Sequence, residues 1–484
     1  MNTPIRKLGV IASMLFCAVL VAASYIQVVQ APSLDARAGN SRVINDGYKK
    51  ERGSILVDGK AIATSVKSND KYVYQRQYSN GSLYAPVTGY NSIVYGNGGG
   101  IEGASDGVLS GTSDSLFYRR LADVVTGKKP AGANVELTIN PKIQAAAAKA
   151  LGNRRGAAVA LDPKTGAVLA MVSSPTYDPS TLASHDTTSV VNMWKQLNAD
   201  STQPMVNRTI SGNLYPPGST FKLVTTAAAL ESGKYTPEST LNGPATIRLP
   251  QTTHSLPNDN HLPCGDNDKT SLTHALEISC NTAYAELGMD LGQDKLAAQA
   301  KKFGFGQVVR LPMRVTPSSF PADMNTPQTA MAAIGQYDVR VTPLQIAMIS
   351  ATIANGGTQM EPHLVKNVVD SDLDVISSTD PKIMSKPISS DTAGSLKTMM
   401  EAVVNNGTGK LAAVDGYQVA GKTGTAQGDT SKAADLWFTG FAPANDPKIA
   451  LALVLENGGD QGVETLAGEV AAPAAQQIFE AALR

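Results

Sequence analysis

Three things are scarce in this sequence: aromatic residues, cysteine and net charge. Aromatics make up 5% of the 484 residues, and 41 Lys and Arg residues balance 41 Asp and Glu residues. A neutral chain has no basic field to concentrate nucleic acid through its phosphates, so we exclude nucleic acid as a partner. Gly and Pro are spread along the chain and 42% of it is apolar. We therefore expect a folded protein of two or three domains.

A long apolar run is present near the N-terminus. Residues 8–29 carry no charge, and these 22 residues are enough to cross a bilayer as a helix. Arg6 and Lys7 precede the run, so the positive-inside rule places the N-terminus in the cytoplasm and the chain after about residue 30 outside it. A cleaved signal peptide is the alternative, because residues 21–23 (Val-Ala-Ala) would suit a signal peptidase, but the run exceeds a usual signal core. We predict a single-pass anchor in the cell membrane.

The three cysteines divide between two environments. Cys17 lies in the apolar run, whereas Cys264 and Cys280 lie in the exported part. An oxidising compartment allows these two to form a disulfide, and two free thiols are the alternative because the sequence does not fix their Cα separation. His254 and His261 lie near Cys264, but their spacing matches no usual zinc pattern. We therefore expect no metal and no other cofactor.

The exported part divides near residue 132. Residues 31–131 contain short apolar runs, including 54–57 and 92–95, and a glycine-rich stretch, which together predict a small strand-rich module. Helix-breaking and turn-forming residues concentrate at 128–132, and Pro141 then opens an alanine-rich helix.

Beyond that boundary the pattern predicts an α+β domain. Residues 157–161 and 167–173 predict a hairpin, because Pro163 and Gly166 occupy the positions of a tight turn. Further strands are predicted at the far end and a helix in the middle: strands 418–427, 436–442 and 449–456, and helix 343–354. A sheet assembled from both ends of a domain, with helices from its middle, is an α+β arrangement.

Ser219 and Lys222 form a Ser-x-x-Lys pattern at a predicted helix start. Residues 215–218, Tyr-Pro-Pro-Gly, stop one element, so the helix is predicted to start at Ser219. Residues three apart share a helix face, which would bring the Lys222 amine within reach of the Ser219 hydroxyl. A serine attacks a carbonyl only when a neighbour removes its proton, and a buried lysine of lowered pKa can do so. Alone, the pattern is more typical of an N-cap serine beside a solvated lysine.

Two further motifs favour catalysis. Ser279-Cys280-Asn281 and then Lys422-Thr423-Gly424 follow along the chain. Ser-x-x-Lys, Ser-x-Asn and Lys-Thr-Gly in this order are the signatures of penicillin-recognising serine acyl enzymes, which this sequence therefore resembles. Further stretches resemble the class B penicillin-binding proteins: Arg52-Gly53-Ser54-Ile55, Asn207-Arg208, Ile334-Gly335-Gln336, Thr342-Pro343-Leu344-Gln345 and residues 437–443. Within that class the sequence most resembles the short penicillin-binding protein A type, which likewise has Cys-Gly-Asp, here Cys264-Gly265-Asp266, before its Ser-Cys-Asn.

This resemblance implies a fold and a division of the chain. The expected transpeptidase domain has an antiparallel sheet sandwiched by helices, together with an all-helical lobe. The predicted domains are residues 1–30 as cytoplasmic tip and transmembrane anchor, 31–131 as a pedestal or dimerisation-like module, and 132–484 as an extracytoplasmic transpeptidase domain.

The resemblance also implies roles for the first two motifs. Ser219 would attack the carbonyl of a D-Ala–D-Ala bond while Lys222 takes its proton. Ser279 would pass a proton to the leaving nitrogen, and Asn281 would hydrogen-bond Lys222 and the substrate backbone.

The third motif would form the opposite wall of the site. Lys422, Thr423 and Thr425 would meet the substrate's terminal carboxylate, for which a cation and two hydroxyls are suited. Gly424 would let the ligand lie close to the strand. The N–H groups of Ser219 and Thr425 would form the oxyanion hole.

The activity implied is that of a peptidoglycan D,D-transpeptidase, which cross-links stem peptides and is acylated by β-lactams. The alternatives are a hydrolase, either a D,D-carboxypeptidase or a β-lactamase, and a β-lactam-binding sensor or scaffold. A class B enzyme has no glycosyltransferase domain, so the resemblance implies a membrane glycosyltransferase as partner, docked on the module before residue 132. Two residues depart from the wider family: Cys280 stands where serine is commoner, and Tyr337 where glycine usually follows the Gly-Gln pair.

Overall fold

The structure is a computed structural model that describes residues 2–30, 47–116, 131–212, 214–426, 433–460 and 465–484. The predicted α+β fold is confirmed: helices cover both faces of an antiparallel sheet. Parts of the predicted 31–131 module, including residues 128–130, and the predicted strand end at Gln427 lie outside the described residues.

The described chain begins with one long apolar helix, α1 (Asn2–Tyr25), followed by a π-helical segment, Ile26–Gln30. Within α1, the span Pro4–Tyr25 contains an 18-residue window with a mean hydropathy of 2.2, and the rest of the protein buries none of that window. By length and composition this helix can cross a membrane.

A module of short elements follows. They are β1 (Ile55–Val57), β2 (Lys60–Lys67), β3 (Tyr74–Tyr78), α2 (Gly81–Thr88), β4 (Tyr90–Ser92), β5 (Gly96–Gly98), α3 (Gly100–Ala104), α4 (Asp106–Leu109) and β6 (Asn134–Leu137). The apolar run at 92–95 is not itself a strand, because β4 ends at Ser92 and the next residues turn into β5. The Tyr95 ring instead stacks on Trp194, with ring centroids 4.2 Å apart.

The middle of the chain alternates helices with small strands. Its elements are α5 (Pro141–Leu151), β7 (Gly156–Leu161), β8 (Val168–Ser174), α6 (Thr187–Ala199), α7 (Lys222–Glu231), β9 (Thr240–Asn242), β10 (Thr246–Arg248), β11 (Ser255–Pro257), β12 (Lys269–Ser271), α8 (Leu272–Glu277), α9 (Asn281–Leu291), α10 (Gln293–Lys302), α11 (Thr326–Ala333) and α12 (Pro343–Ala354). Asn140 caps α5 and Thr342 caps α12, each directly before a proline that suits the first helical turn. The predicted helix at 343–354 is therefore confirmed.

The last part supplies most of the central sheet. Its elements are β13 (Gln359–Met360), β14 (Val365–Val369), β15 (Val375–Ser378), β16 (Ile383–Ser385), α13 (Ser390–Asn405), β17 (Ala420–Ala426), β18 (Asp435–Ala442), β19 (Ile449–Leu455) and α14 (Ala467–Leu483).

The central sheet has the strand order β17-β18-β19-β7-β8, and every neighbouring pair is antiparallel. The hairpin predicted between β7 and β8 is present, and Gly166 in its turn has a φ of +80°. Alternate residues of β19 face opposite sides: Leu451 and Leu453 pack with α5 and α14, whereas Ala450 and Ala452 join the core that includes α7 and α12. Both faces of the sheet are therefore buried.

A second, six-stranded sheet has the order β15-β14-β6-β1-β2-β3. Strand β6 pairs in parallel with β1 and antiparallel with β14. The Asn134 side chain accepts from Ser54 N at 2.7 Å and donates to the Asp370 carbonyl at 2.8 Å. One sheet thus joins strands from both sides of residue 132, while the domain boundary stays a prediction.

Candidate active site

The turn that carries Ser219 is a 3₁₀ segment, Gly218–Phe221, and α7 begins after it at Lys222. The predicted helix start at Ser219 is thus displaced by three residues. Gly218 has a φ of +52°, and a Cβ there would lie 2.6 Å from the Thr425 carbonyl oxygen. Only glycine fits this conformation and this contact. The turn is thereby held directly against strand β17.

Lys222 joins the first two motifs. Its side chain is fully buried, and its Nζ donates to the Ser279 carbonyl at 2.7 Å and to Asn281 Oδ1 at 2.7 Å. A longer contact of 3.3 Å reaches Ser279 Oγ. Within the described residues no hydrogen bond links the amine to the Ser219 hydroxyl. In this state the Lys222 amine is held by the second motif rather than by Ser219.

The second motif has a strained backbone that sequence patterns did not reveal. Ser279 has a φ of +62°, a conformation that non-glycine residues rarely adopt. Asn281 then begins α9, and the Asn258 side chain accepts from the backbone N–H groups of Asn281 and Thr282, both at 3.0 Å. Asn258 thus caps α9 from a loop more than 20 residues earlier, which no local signal could have indicated.

The third motif lies on β17. Lys422 is fully buried and donates to the Thr423 carbonyl at 2.8 Å. The hydroxyls of Thr423 and Thr408 are 2.6 Å apart. A Cβ at Gly424 would lie 2.9 Å from Thr220 Cγ2, so the glycine also allows close packing of the strand on the Ser219 turn. Its effect on ligand approach stays a prediction.

Ser219, Ser279, Thr423 and Thr425 line one cavity of about 460 Å³. The loop before α8 and the segments around Thr408 and Gly468 complete its walls. Residues that are far apart in sequence are thus brought to a single cleft large enough for a peptide end or a drug-sized molecule.

Burial makes the two lysines weak bases. It lowers the pKa of Lys222 from its ordinary 10.5 to about 7, against the opposing charge of Asp259. Burial, helped by the Lys222 charge, also holds the pKa of Lys422 well below its ordinary value. The Lys222 Nζ lies 5.3 Å from the centre of the Tyr284 ring, another contact in this pocket. An amine with a pKa of about 7 can accept a proton near neutral pH.

A disulfide joins Cys264 to Cys280, with a Cα–Cα separation of 6.0 Å. The bridge therefore ties the loop before β12 to the second motif. Because Cys264 is in this disulfide, its thiol is not free to bind a metal together with His254 and His261. Among the described residues, no group of three or more His, Cys, Asp or Glu side chains is placed to hold a metal.

Comparison with known proteins defines the class. Residues 156–480 match the family model of the penicillin binding protein transpeptidase domain, and residues 52–135 match that of the penicillin binding protein A dimerisation domain. The chain belongs to the penicillin-binding protein transpeptidase family.

Individual relatives narrow this class. The chain is 42% identical to the peptidoglycan D,D-transpeptidase PbpA of Mycolicibacterium smegmatis, over 100% of this chain and 99% of that protein. It is 41% identical, with the same coverage, to PbpA of Mycobacterium tuberculosis. The solved ceftriaxone acyl-enzyme complex of M. tuberculosis penicillin-binding protein A superposes with a TM-score of 0.87 at 41% identity, over 91% of this chain and 100% of that one. The resemblance to the short penicillin-binding protein A type is confirmed.

Proposed function

We propose that this protein is a peptidoglycan D,D-transpeptidase in which Ser219 is the nucleophile and Lys222 the general base. One observation supports these roles above all: the buried Lys222 amine hydrogen-bonds Ser279 and Asn281 at the wall of the cavity that Ser219 lines. The PbpA relatives named above carry the same activity in their names.

Acylation follows from these groups. Ser219 Oγ forms a bond to the carbonyl carbon of a D-Ala–D-Ala amide, and Lys222 takes the hydroxyl proton. The C–N bond breaks, the proton taken by Lys222 passes through Ser279 to the leaving nitrogen, and the terminal D-alanine departs. The amine of a second stem peptide then attacks the ester carbonyl and gives a proton to Lys222. The ester C–O bond breaks, the cross-link forms, and Ser219 Oγ regains that proton. With a β-lactam the amide lies in a ring, so the leaving group stays attached and the acyl-enzyme persists.

The remaining motif residues bind and polarise the substrate. Thr423 and Thr425 line the cavity, and the Lys422 amine lies buried on the same strand, which supports binding of the terminal carboxylate. The close approach of the Gly218 turn to Thr425 supports an oxyanion hole made of the Ser219 and Thr425 N–H groups. Asn281 would orient both Lys222 and the substrate backbone.

The test is intact-mass spectrometry of the soluble part, residues 31–484, after incubation with a penicillin. We expect one stable adduct on the parent and none on Ser219→Ala. The control is Ser211→Ala, which removes a hydroxyl before the nucleophile turn that donates to the Asn207 carbonyl at 2.9 Å. This variant should label like the parent. Adduct formation by folded Ser219→Ala would overturn the assignment of the nucleophile.

We further propose an arrangement at the membrane. Helix α1 anchors the chain, residues 132–484 form the catalytic domain outside the cytoplasm, and residues 31–131 dock a membrane glycosyltransferase. The apolar length of α1 and the separate small module support this arrangement. A protease added to intact cells should cleave the catalytic domain, and full-length protein should co-purify with a membrane glycosyltransferase. Protection from the protease, or purification without such an enzyme, would contradict the respective part.

A further inference from the structure

The loop after β11 brings a carboxylate to the second motif. Asn281 Nδ2 donates to Asp259 Oδ1 at 2.8 Å, while Asn281 Oδ1 accepts from Lys222 Nζ at 2.7 Å. Asp259 also lines the cavity beside Ser219 and Ser279. None of the three motifs includes this residue, which lies 22 positions before Asn281.

The polarity of these contacts is fixed by chemistry. An ionised carboxylate can only accept hydrogen bonds, so it faces the NH₂ end of the Asn281 amide. The oxygen end must then point to the Lys222 amine. Without Asp259 the amide could rotate by half a turn and present NH₂ to the lysine, which would repel its protonated form and misplace the base.

The loop holds Asp259 in place from the preceding residue. The buried Asn258 side chain donates to the carbonyls of Pro244 at 3.0 Å and Leu262 at 2.8 Å, while its oxygen caps α9. The disulfide at Cys264 anchors the same loop a few residues later. The carboxylate therefore sits on a rigid support although its own side chain is exposed.

We propose that Asp259 is a positioning residue for acylation, which fixes the amide of Asn281 so that its oxygen holds the Lys222 amine. The proposal rests on the roles given above to Ser219 and Lys222. Asp259 touches neither of the reacting atoms in this scheme and acts through Asn281.

The negative charge of Asp259 has a second effect, on the pKa of Lys222. The groups described around the Lys222 amine are Lys422 on β17, Tyr284 on α9 and Asp259 on the loop, and Asp259 is the anion that raises the Lys222 pKa. Loss of that anion lowers the Lys222 pKa further. The alkaline-rising limb of the acylation rate should then move to lower pH.

The test compares Asp259→Ala with Asp259→Asn by the acylation rate constant with a fluorescent penicillin, measured from pH 5 to 9. Asparagine keeps an oxygen that can accept from Asn281 but has no charge, whereas alanine has neither. We expect Asp259→Asn to keep the plateau rate within about threefold, and Asp259→Ala to lower it by roughly 10- to 100-fold. Both variants should shift the rising limb to lower pH.

Asp266→Asn is the matched control, because it removes an exposed carboxylate from the same loop away from the cavity. Its rate and pH profile should match the parent, and thermal unfolding should verify that all variants fold. A parental plateau in Asp259→Ala, or an equal loss in Asp259→Asn, would overturn the proposal. Neither result would contradict the assignment of Ser219 as the nucleophile, because the Ser219→Ala adduct test decides that independently.

Discussion

Two regions of this molecule bury positive charge in opposite ways. In the N-terminal module, the fully buried Glu102 forms ion pairs with Arg76 at 2.6 Å and Arg52 at 2.7 Å. In the catalytic cleft, Lys222 and Lys422 are equally buried, but among the described residues no carboxylate forms an ion pair with either.

The difference follows from what each region does. Burial alone would raise the pKa of Glu102, but the two arginines outweigh it and lower that pKa, so all three groups stay charged. In the cleft, burial acts almost unopposed, and both lysines are pushed toward the neutral amine. A buried ion pair keeps its groups charged and takes part in no proton transfer, whereas a buried lysine without a carboxylate partner can act as a base.

The largest expected effect comes from Lys222→Met, which replaces the buried amine with an apolar side chain of similar length. Acylation by penicillin should fall by ~10²–10⁴-fold, the usual contribution of a general base. Stability should change by less than ~1 kcal/mol, because relief of lysine desolvation offsets the lost hydrogen bonds. Stopped-flow acylation and urea unfolding measure the two quantities. A large loss of stability with a modest loss of rate would show that Lys222 is structural.

Glu102→Gln should have the opposite effect to Lys222→Met, a large loss of stability with no change in the acylation rate. It leaves the buried Arg76 without a counter-charge and Arg52 with Asp106 alone, so the free energy of unfolding should drop by ~3–5 kcal/mol. The acylation rate of the protein that remains folded should not change. Asp106→Asn is the matched control, since Asp106 pairs with Arg52 at the exposed edge and should contribute less than ~1 kcal/mol. Equal losses in both variants would mean that burial does not decide the strength of these pairs.

The smallest effect is a pH dependence. With the Lys222 pKa at about 7, acylation should be half-maximal near pH 7 and fall about tenfold per pH unit well below it. Because this pKa lies below the ordinary 10.5, the unfolded chain binds a proton between pH 7 and 10.5 that the folded protein does not. The Lys222 contribution to stability therefore decreases as the pH is lowered through that window. A rate that is flat from pH 5 to 9 would contradict the role of Lys222.

Local patterns predicted the parts of the molecule that depend on neighbouring residues. The β7–β8 hairpin and the helix 343–354 follow from turn chemistry and capping, and both were predicted. Of the two alternatives left open for Cys264 and Cys280, a disulfide or two free thiols, the structure has the disulfide. The three motifs meet at one cavity as expected, while the roles of their residues stay proposals.

Long-range contacts were not predictable in the same way. Asn258 and Asp259 reach the second motif from a loop whose sequence suggests only turn polarity. Ser279 has a φ of +62°, and Tyr337, where the wider family usually has glycine, has a φ of +59°. That positive φ gives a physical reason for the family's glycine, which the sequence of this protein could not reveal.

The six-stranded sheet joins the N-terminal module to the rest of the chain, so neither part can be exchanged by recombination without regard to the other. Strands β14 and β15 come from residues 365–378, yet they complete a sheet whose other strands end by Leu137. A recombination event that exchanged only the first 131 residues would have to preserve the pairing of β1 with β6 across the junction. A fragment ending after β6 would expose an unpaired strand edge, which invites aggregation. The N-terminal module and the catalytic domain must therefore be exchanged together or remain matched in register.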